Sequence, residues 1–343
     1  MVRKKTFLRL LSLLAVLGEF LFAEVSASAE TVNQNTVNNE KAYVYNPELQ
    51  IELKVRTTPD LNGEVDGYLY NYENVKILDT IEINGTVWDK ITYKNGVAYV
   101  SDAYIKHYNS PTDDVINIAK NISKQFEVGN SNQIAGNFDG QGLSLGSLQW
   151  CIGQDTLQPL LNRMDREYNA EMRSIFGTNY DSIHNMILDT KENQLEWAKS
   201  INNSSNTVYE PWYSQFVNLC NNQNFINIES DAVAYKVGQA MIICDKYNLK
   251  TVRGFALAFD IVVQNGSISQ EAAKIIDAEL VKNPNMIEKD LLEIIANAVA
   301  DTSTSNIEDI RVRKMAVVNG AGTIHGFLLD LDENYGLSDS YWR

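Results

Sequence analysis

Cysteine and histidine are scarce, at three residues each in a chain of 343. Cys151, Cys220 and Cys244 cannot all pair within one molecule, so a disulfide-scaffold fold is excluded. What remains is one Cys220–Cys244 bridge, or three buried thiols acting as small hydrophobes. A cysteine nucleophile at Cys151 would want a histidine base, and only His107, His184 and His325 exist, none in a recognisable metal-ligand spacing. Neither a metal nor any other cofactor is expected. Basic residues are also few, 29 Lys and Arg against 44 Asp and Glu, for a net charge of -15. A phosphate-binding surface needs the opposite balance, so nucleic acid is excluded as a partner. No apolar run approaches the ~20 residues that a membrane span requires.

What is present is ordinary globular composition, 44% hydrophobic with 21% charged, long enough for one large or two modest domains. The N-terminus reads as an export signal over residues 1–29. Arg3, Lys4, Lys5 and Arg9 lead into the run Leu10 to Gly18, then Phe20 to Ala23, and the small-x-small site Ala27-Ser28-Ala29 precedes Glu30. A retained anchor is the other reading, with Glu19 interrupting its apolar run. Cleavage makes the remaining chain more acidic and leaves no stable membrane span, so the protein is expected to be secreted, extracellular or wall-associated. Residues 30–41, "ETVNQNTVNNEK", are polar and without periodicity, a flexible linker.

From 42 to 108 the pattern is short β-type runs: "IELKVRT", "NVKILDTIEI", "TVWDKITY" and "GVAYVS". Asn84-Gly85 and Asn95-Gly96 separate three of them, and Asn-Gly tolerates positive φ at both positions of a hairpin turn. A small β-barrel is expected. "LKVRTTPD" (Leu53 to Asp60), the Gly67 turn and "VWDKITYKNGVAYVSDAYI" (Val87 to Ile105) resemble the bacterial SH3-like domains. That resemblance implies binding to cell-wall peptide or glycan. Tyr68, Tyr70, Tyr72, Trp88 and Tyr93 then serve either as wall contacts or as barrel core and rim.

From Pro111 to Arg343 the period becomes helical. Thr112 precedes a helix with Asp113 and Asp114 in its first turn and a stripe of Val115, Ile118, Ala119, Ile122 and Phe126, ending near Gly129-Asn130. Further helices are expected at about 155–175, 181–201, 211–222, 230–247, 252–265, 269–282 and 286–300. The segment 111–343 reads as one mostly α domain.

Glu127 closes the first of these helices, and Asp139 follows twelve residues later in the glycine-rich turn "GNFDGQG". A glutamate on a helix end and an aspartate on a turn suit glycosidic hydrolysis, in which one carboxyl protonates the leaving oxygen while the other activates water or stabilises positive charge. Such a pair is weak evidence alone. However, "FEVGNSNQIAGNFDGQGLSLGSLQWCIGQDTLQPLLNRM" resembles the catalytic segment of chitosanase-type glycoside hydrolases, members of the lysozyme-like superfamily. "GFALAFDIVVQNGSI" (Gly254 to Ile268) resembles that family's buried acidic helix, and "EDIRVRKMAVVNG" (Glu308 to Gly320) its late Arg-bearing helix.

The resemblance implies a mostly α, two-lobed lysozyme-like domain behind the SH3-like barrel. It also implies an inverting mechanism with Glu127 as acid and Asp139 as base. Asp260, inside "FALAFDIVV", either faces solvent or pairs with Arg313, with Arg311 as second choice, and that arginine orients Glu127 or tunes its pKa. Ser144 and Gln149 are candidate contacts to sugar hydroxyls or water. The expected enzyme is a glycoside hydrolase acting on β-1,4-linked amino-sugar polymer, with peptidoglycan ahead of chitosan as its partner polysaccharide and the SH3-like domain holding the wall. A non-catalytic wall-binding protein is the remaining alternative.

Overall fold

Alternating inward and outward side chains shape the N-terminal part, because successive residues of a strand face opposite sides. A computed structural model describes residues 40–127 and 134–343, the side chain of Glu127 excepted. The signal at 1–29, most of the linker and the stop at Gly129-Asn130 lie outside the described residues. The strands are β1 (Glu40–Val44), β2 (Leu53–Arg56), β3 (Val65–Leu69), β4 (Asn74–Val75), β5 (Ile77–Ile83), β6 (Thr86–Tyr93), β7 (Gly96–Ser101) and β8 (Ile105–Asn109). They form two antiparallel sheets, of order β3-β2-β7-β6-β5 and β4-β1-β8. Their inward faces share a core that includes Val44, Val55, Leu69, Ile91 and Val100.

Both hairpins occur, the second in a different register. Asn84 and Gly85 take φ of 52° and 77° between the paired ends Ile83 and Thr86. At the other site Tyr93 pairs with Gly96, so the turn falls on Lys94-Asn95, one residue early. Pairing Ile91 with Ala98 puts both into the core, and a one-residue slip would turn one strand's apolar set outward.

The rest is helical, apart from small antiparallel pairings. In chain order come α1 (Asp113–Glu127), then β9 (Ile134–Ala135), β10 (Ser144–Leu145) and β11 (Trp150–Cys151), then α2 (Leu157–Glu167), α3 (Asn169–Phe176), α4 (Tyr180–Leu188), α5 (Lys191–Ser200), α6 (Trp212–Cys220) and α7 (Gln223–Tyr247). After them come α8 (Val252–Asn265), α9 (Gln270–Lys282), α10 (Glu288–Asp301), α11 (Ile307–Asn319), the hairpin β12 (Ala321–Ile324) and β13 (Phe327–Asp330), and α12 (Leu331–Tyr335). Helix 155–175 is two helices broken at Tyr168, and 181–201 breaks at Asp189, where Thr190 caps α5 by accepting the Asn193 N–H. Helix α7 starts earlier than 230, because Asn222 accepts the N–H groups of Asn224 and Phe225. Helix α1 buries Val115, Ala119, Ile122 and Phe126 as its stripe requires and packs on α8.

The β region packs on α7 through tyrosines and meets α2 through ion pairs. Tyr72 stacks on Tyr235 at 3.9 Å between centroids and donates to the Asp155 carbonyl at 3.0 Å. A Cβ on Gly238 would stand 2.5 Å from the Tyr43 ring, so glycine lets that ring approach α7 closely. Arg163 faces Glu73 at 3.6 Å across the same contact. Tyr70, Tyr72 and Trp88 are buried, and of the five aromatics that could be wall contacts or barrel core and rim only Tyr68 is exposed. All three cysteines are free and buried, so the Cys220–Cys244 bridge is not formed. Among the described residues no helix is long and apolar enough to cross a membrane.

Candidate functional site

Asp139 is held out by its own turn. The Asn137 side chain accepts the Gly142 N–H at 2.8 Å, Asp139 Oδ1 accepts the Gln141 N–H at 3.0 Å, and Gly140 takes a φ of 79° that other residues rarely adopt. The turn is seated on the loop between α5 and α6, where a Cβ on Gly136 would stand 2.0 Å from the Asn206 carbonyl. The chain then enters the small sheet in which Ser144 pairs with Cys151 and with Ala135.

This turn forms one wall of an open cleft of about 710 Å³. Phe138, Asp139, Ser144 and Gln149 line that wall. The facing wall carries Gln264 at the end of α8, Asp309 and Arg313 on α11, and His325 and Phe327 of the β12–β13 hairpin. Four residues singled out from the sequence, Asp139, Ser144, Gln149 and Arg313, thus meet in one place. Glu127 is the last residue of α1, and its side chain lies outside the described residues.

Asp260 does not face solvent. It sits inside α8 with no exposure, 2.7 Å from Arg313 and 2.8 Å from Lys314. Burial alone would raise its pKa, but the two cations outweigh that and hold it at about 2. Lys314 also donates to Gln264 at 2.6 Å, Gln264 donates to Asp309 at 3.0 Å, and His325 meets Asp309 at 2.8 Å. A chain of polar contacts therefore runs from the core to the cleft wall. Arg313 also stands 5.2 Å from the centre of the Phe126 ring, one residue before Glu127. Arg311, the second choice for Asp260, points elsewhere and binds Asn297 and Asp301.

Sequence reasoning missed Lys314, the residue after Arg313 on α11, and the Asp309–His325 pair. It also missed Glu229 on α7, buried beneath the β10–β11 turn, where a Cβ on Gly146 would collide with its carboxyl. Burial raises the Glu229 pKa to about 8. The Trp150 indole, the Ser147 amide and Lys124 offset only part of that rise, and neither Glu229 Oε1 nor Trp150 Nε1 makes a hydrogen bond of good geometry. The sequence signal was a glutamate flanked by buried Ile228 and Ala232 on one helix face.

Compared with family models and with curated proteins, the chain matches none.

Proposed function

We propose that the chain is a secreted glycoside hydrolase that cuts β-1,4-linked amino-sugar polymer, foremost the glycan strands of peptidoglycan. The observation that carries this reading is that Asp139 and Arg313 line one cleft, with Arg313 anchored by buried Asp260 and set against the last turn of the helix that ends in Glu127. In the proposed reaction Glu127 protonates the glycosidic oxygen. Asp139 takes a proton from water attacking the anomeric carbon on the opposite face, which inverts its configuration. Arg313, held in place by Asp260, orients Glu127. Ser144 and Gln149 bind hydroxyls, and the exposed rings of Phe138 and Phe327 offer flat apolar faces to sugars.

In this reading the helical part is a two-lobed lysozyme-like domain and the β region is SH3-like, keeping the enzyme at the wall with Tyr68 as its exposed aromatic contact. Chitosan is a second reading, favoured by the net charge of -15 and by Asp139 and Asp309 in the cleft, which would draw a polycation.

Zymograms on cell walls and on chitosan, with Glu127→Gln as the control, test the proposal. Clearing of walls that Glu127→Gln abolishes is expected. Clearing of chitosan alone, weakening steeply as salt rises, would move the assignment to chitosan. No clearing on either leaves a wall-binding protein without catalysis.

A further inference from the structure

Three side chains distant from the cleft converge in the β region. They are Asp89 on β6, Asp102 in the 3₁₀ turn after β7, and His107 on β8, and one ligand-capable atom from each lies within 4.8 Å of the others. His107 Nε2 stands 3.0 Å from Asp102 Oδ1 and 3.3 Å from Asp89 Oδ2. On the other side of the ring, Nδ1 lies 3.4 Å from Glu40 Oε1.

Asp89 has no exposure. Its Oδ1 accepts the Thr80 hydroxyl at 2.7 Å, whereas Oδ2 is buried, turned toward His107, and without a hydrogen bond of good geometry. A protonated imidazole leaves this arrangement incomplete. Its one Nε2 proton is directed at Asp102, and the buried Asp89 oxygen keeps the cost of an unmet acceptor. A divalent cation would satisfy both oxygens and the imidazole lone pair together, and the two carboxylates would neutralise its charge.

The spacing fits such an ion. Tetrahedral bonds of about 2.0–2.1 Å place neighbouring donors roughly 3.3 Å apart. The observed separations of 3.0 and 3.3 Å are of that size. A carboxylate behind the non-coordinating ring nitrogen is the usual support for a metal-bound histidine, and Glu40 occupies that position. Imidazole with two carboxylates suits Zn²⁺ or Mn²⁺, whereas Ca²⁺ and Mg²⁺ prefer all-oxygen sites.

We propose that Asp89, Asp102 and His107 form a transition-metal site of the Zn²⁺ class, with Glu40 orienting the histidine and water completing the coordination. The ion would tie β6 and the turn after β7 to β8, whose sheet also contains β1, the strand that carries Tyr43 onto α7.

The test uses tag-free protein stripped with a chelator and dialysed against Zn²⁺. One equivalent per chain and a higher unfolding midpoint are expected, with Ca²⁺ giving neither. His107→Gln and Asp102→Asn, both at partly exposed positions, should abolish uptake, and His325→Gln should retain it. Glu40→Gln should weaken affinity by about 10–100-fold. Should the ligand variants fail to fold, Co²⁺ in the wild-type protein gives an independent reading, the strong visible absorption of a four-coordinate ion being expected. No stoichiometric uptake, uptake undiminished in His107→Gln, or only a weak six-coordinate Co²⁺ spectrum would overturn the site.

Discussion

Lys314 of α11 reaches Asp260 of α8 at 2.8 Å, and neither side chain has any exposed surface. Arg313, the preceding residue, binds the other oxygen of the same carboxylate. The contact explains how α8, buried throughout Val252 to Val263, tolerates a charge, and it fixes α11 where that helix forms the cleft wall.

Asp260→Asn should destabilise the protein by about 3–5 kcal/mol, because two buried cations lose the carboxylate they share. Urea unfolding at pH 7 measures this. The folded pKa of about 2 lies below the unfolded carboxylate value, so the wild-type stabilisation is complete above about pH 4 and is lost as pH falls toward 2. A wild-type acid profile that matches Asp260→Asn would show that the pair contributes nothing.

Glu229 has the opposite sign. Its folded pKa of about 8 exceeds the ordinary glutamate value of 4.5, so between those values the native state holds a proton that the unfolded chain has released. Stability should fall by up to about 1.4 kcal/mol per pH unit as pH rises through that window. Burial also lifts Glu73, to about 7 despite Arg163, and it adds to the slope at the lower end. Glu229→Gln should flatten the profile and be more stable than wild type at pH 8; equal slopes in the two proteins would contradict the assignment.

Asp139→Asn should lower turnover by about 10²–10⁴-fold, the range expected for loss of a general base. Asp139 is exposed and its turn is held largely by Asn137, so the thermal midpoint should barely move. Turnover and melting measured on one preparation decide this, and an active variant would reduce the segment to a connection.

Tyr72→Ala should cost about 3–5 kcal/mol, as a large aromatic leaves the contact between β region and helices. Tyr72→Phe should cost about 1 kcal/mol for the bond to the Asp155 carbonyl. Calorimetry should show both parts unfolding in one transition in the wild type. Two separated transitions would mean that the tyrosine contact does not couple them.

The change of period at Pro111, the apolar stripe of α1, the Asn84-Gly85 hairpin and the turn presenting Asp139 were legible in the sequence. Each rests on interactions within a few residues: strand alternation, helical spacing, positive φ at glycine and Asx capping. The one-residue shift at Lys94-Asn95 was not legible, because cross-strand burial of Ile91 and Ala98 decides it. The break at Tyr168 was hidden because Met164, Tyr168 and Met172 keep a helical spacing across it, whereas the break at Asp189 lies in the polar run Asp189 to Gln194 and had its signal in Thr190.

Local chemistry thus determined most of the elements, and by itself offered Glu127 and Asp139 only as a weak pairing. Tertiary structure alone decided which cation meets Asp260, choosing Arg313 with Lys314 over Arg311. It also turned most barrel aromatics inward or onto α7, and it gathered Asp89, Asp102 and His107 from separate elements. These outcomes depend on which faces pack together and on which charges lose water as they do. Residues 53 positions apart acquire that relationship only when α8 and α11 are buried against each other.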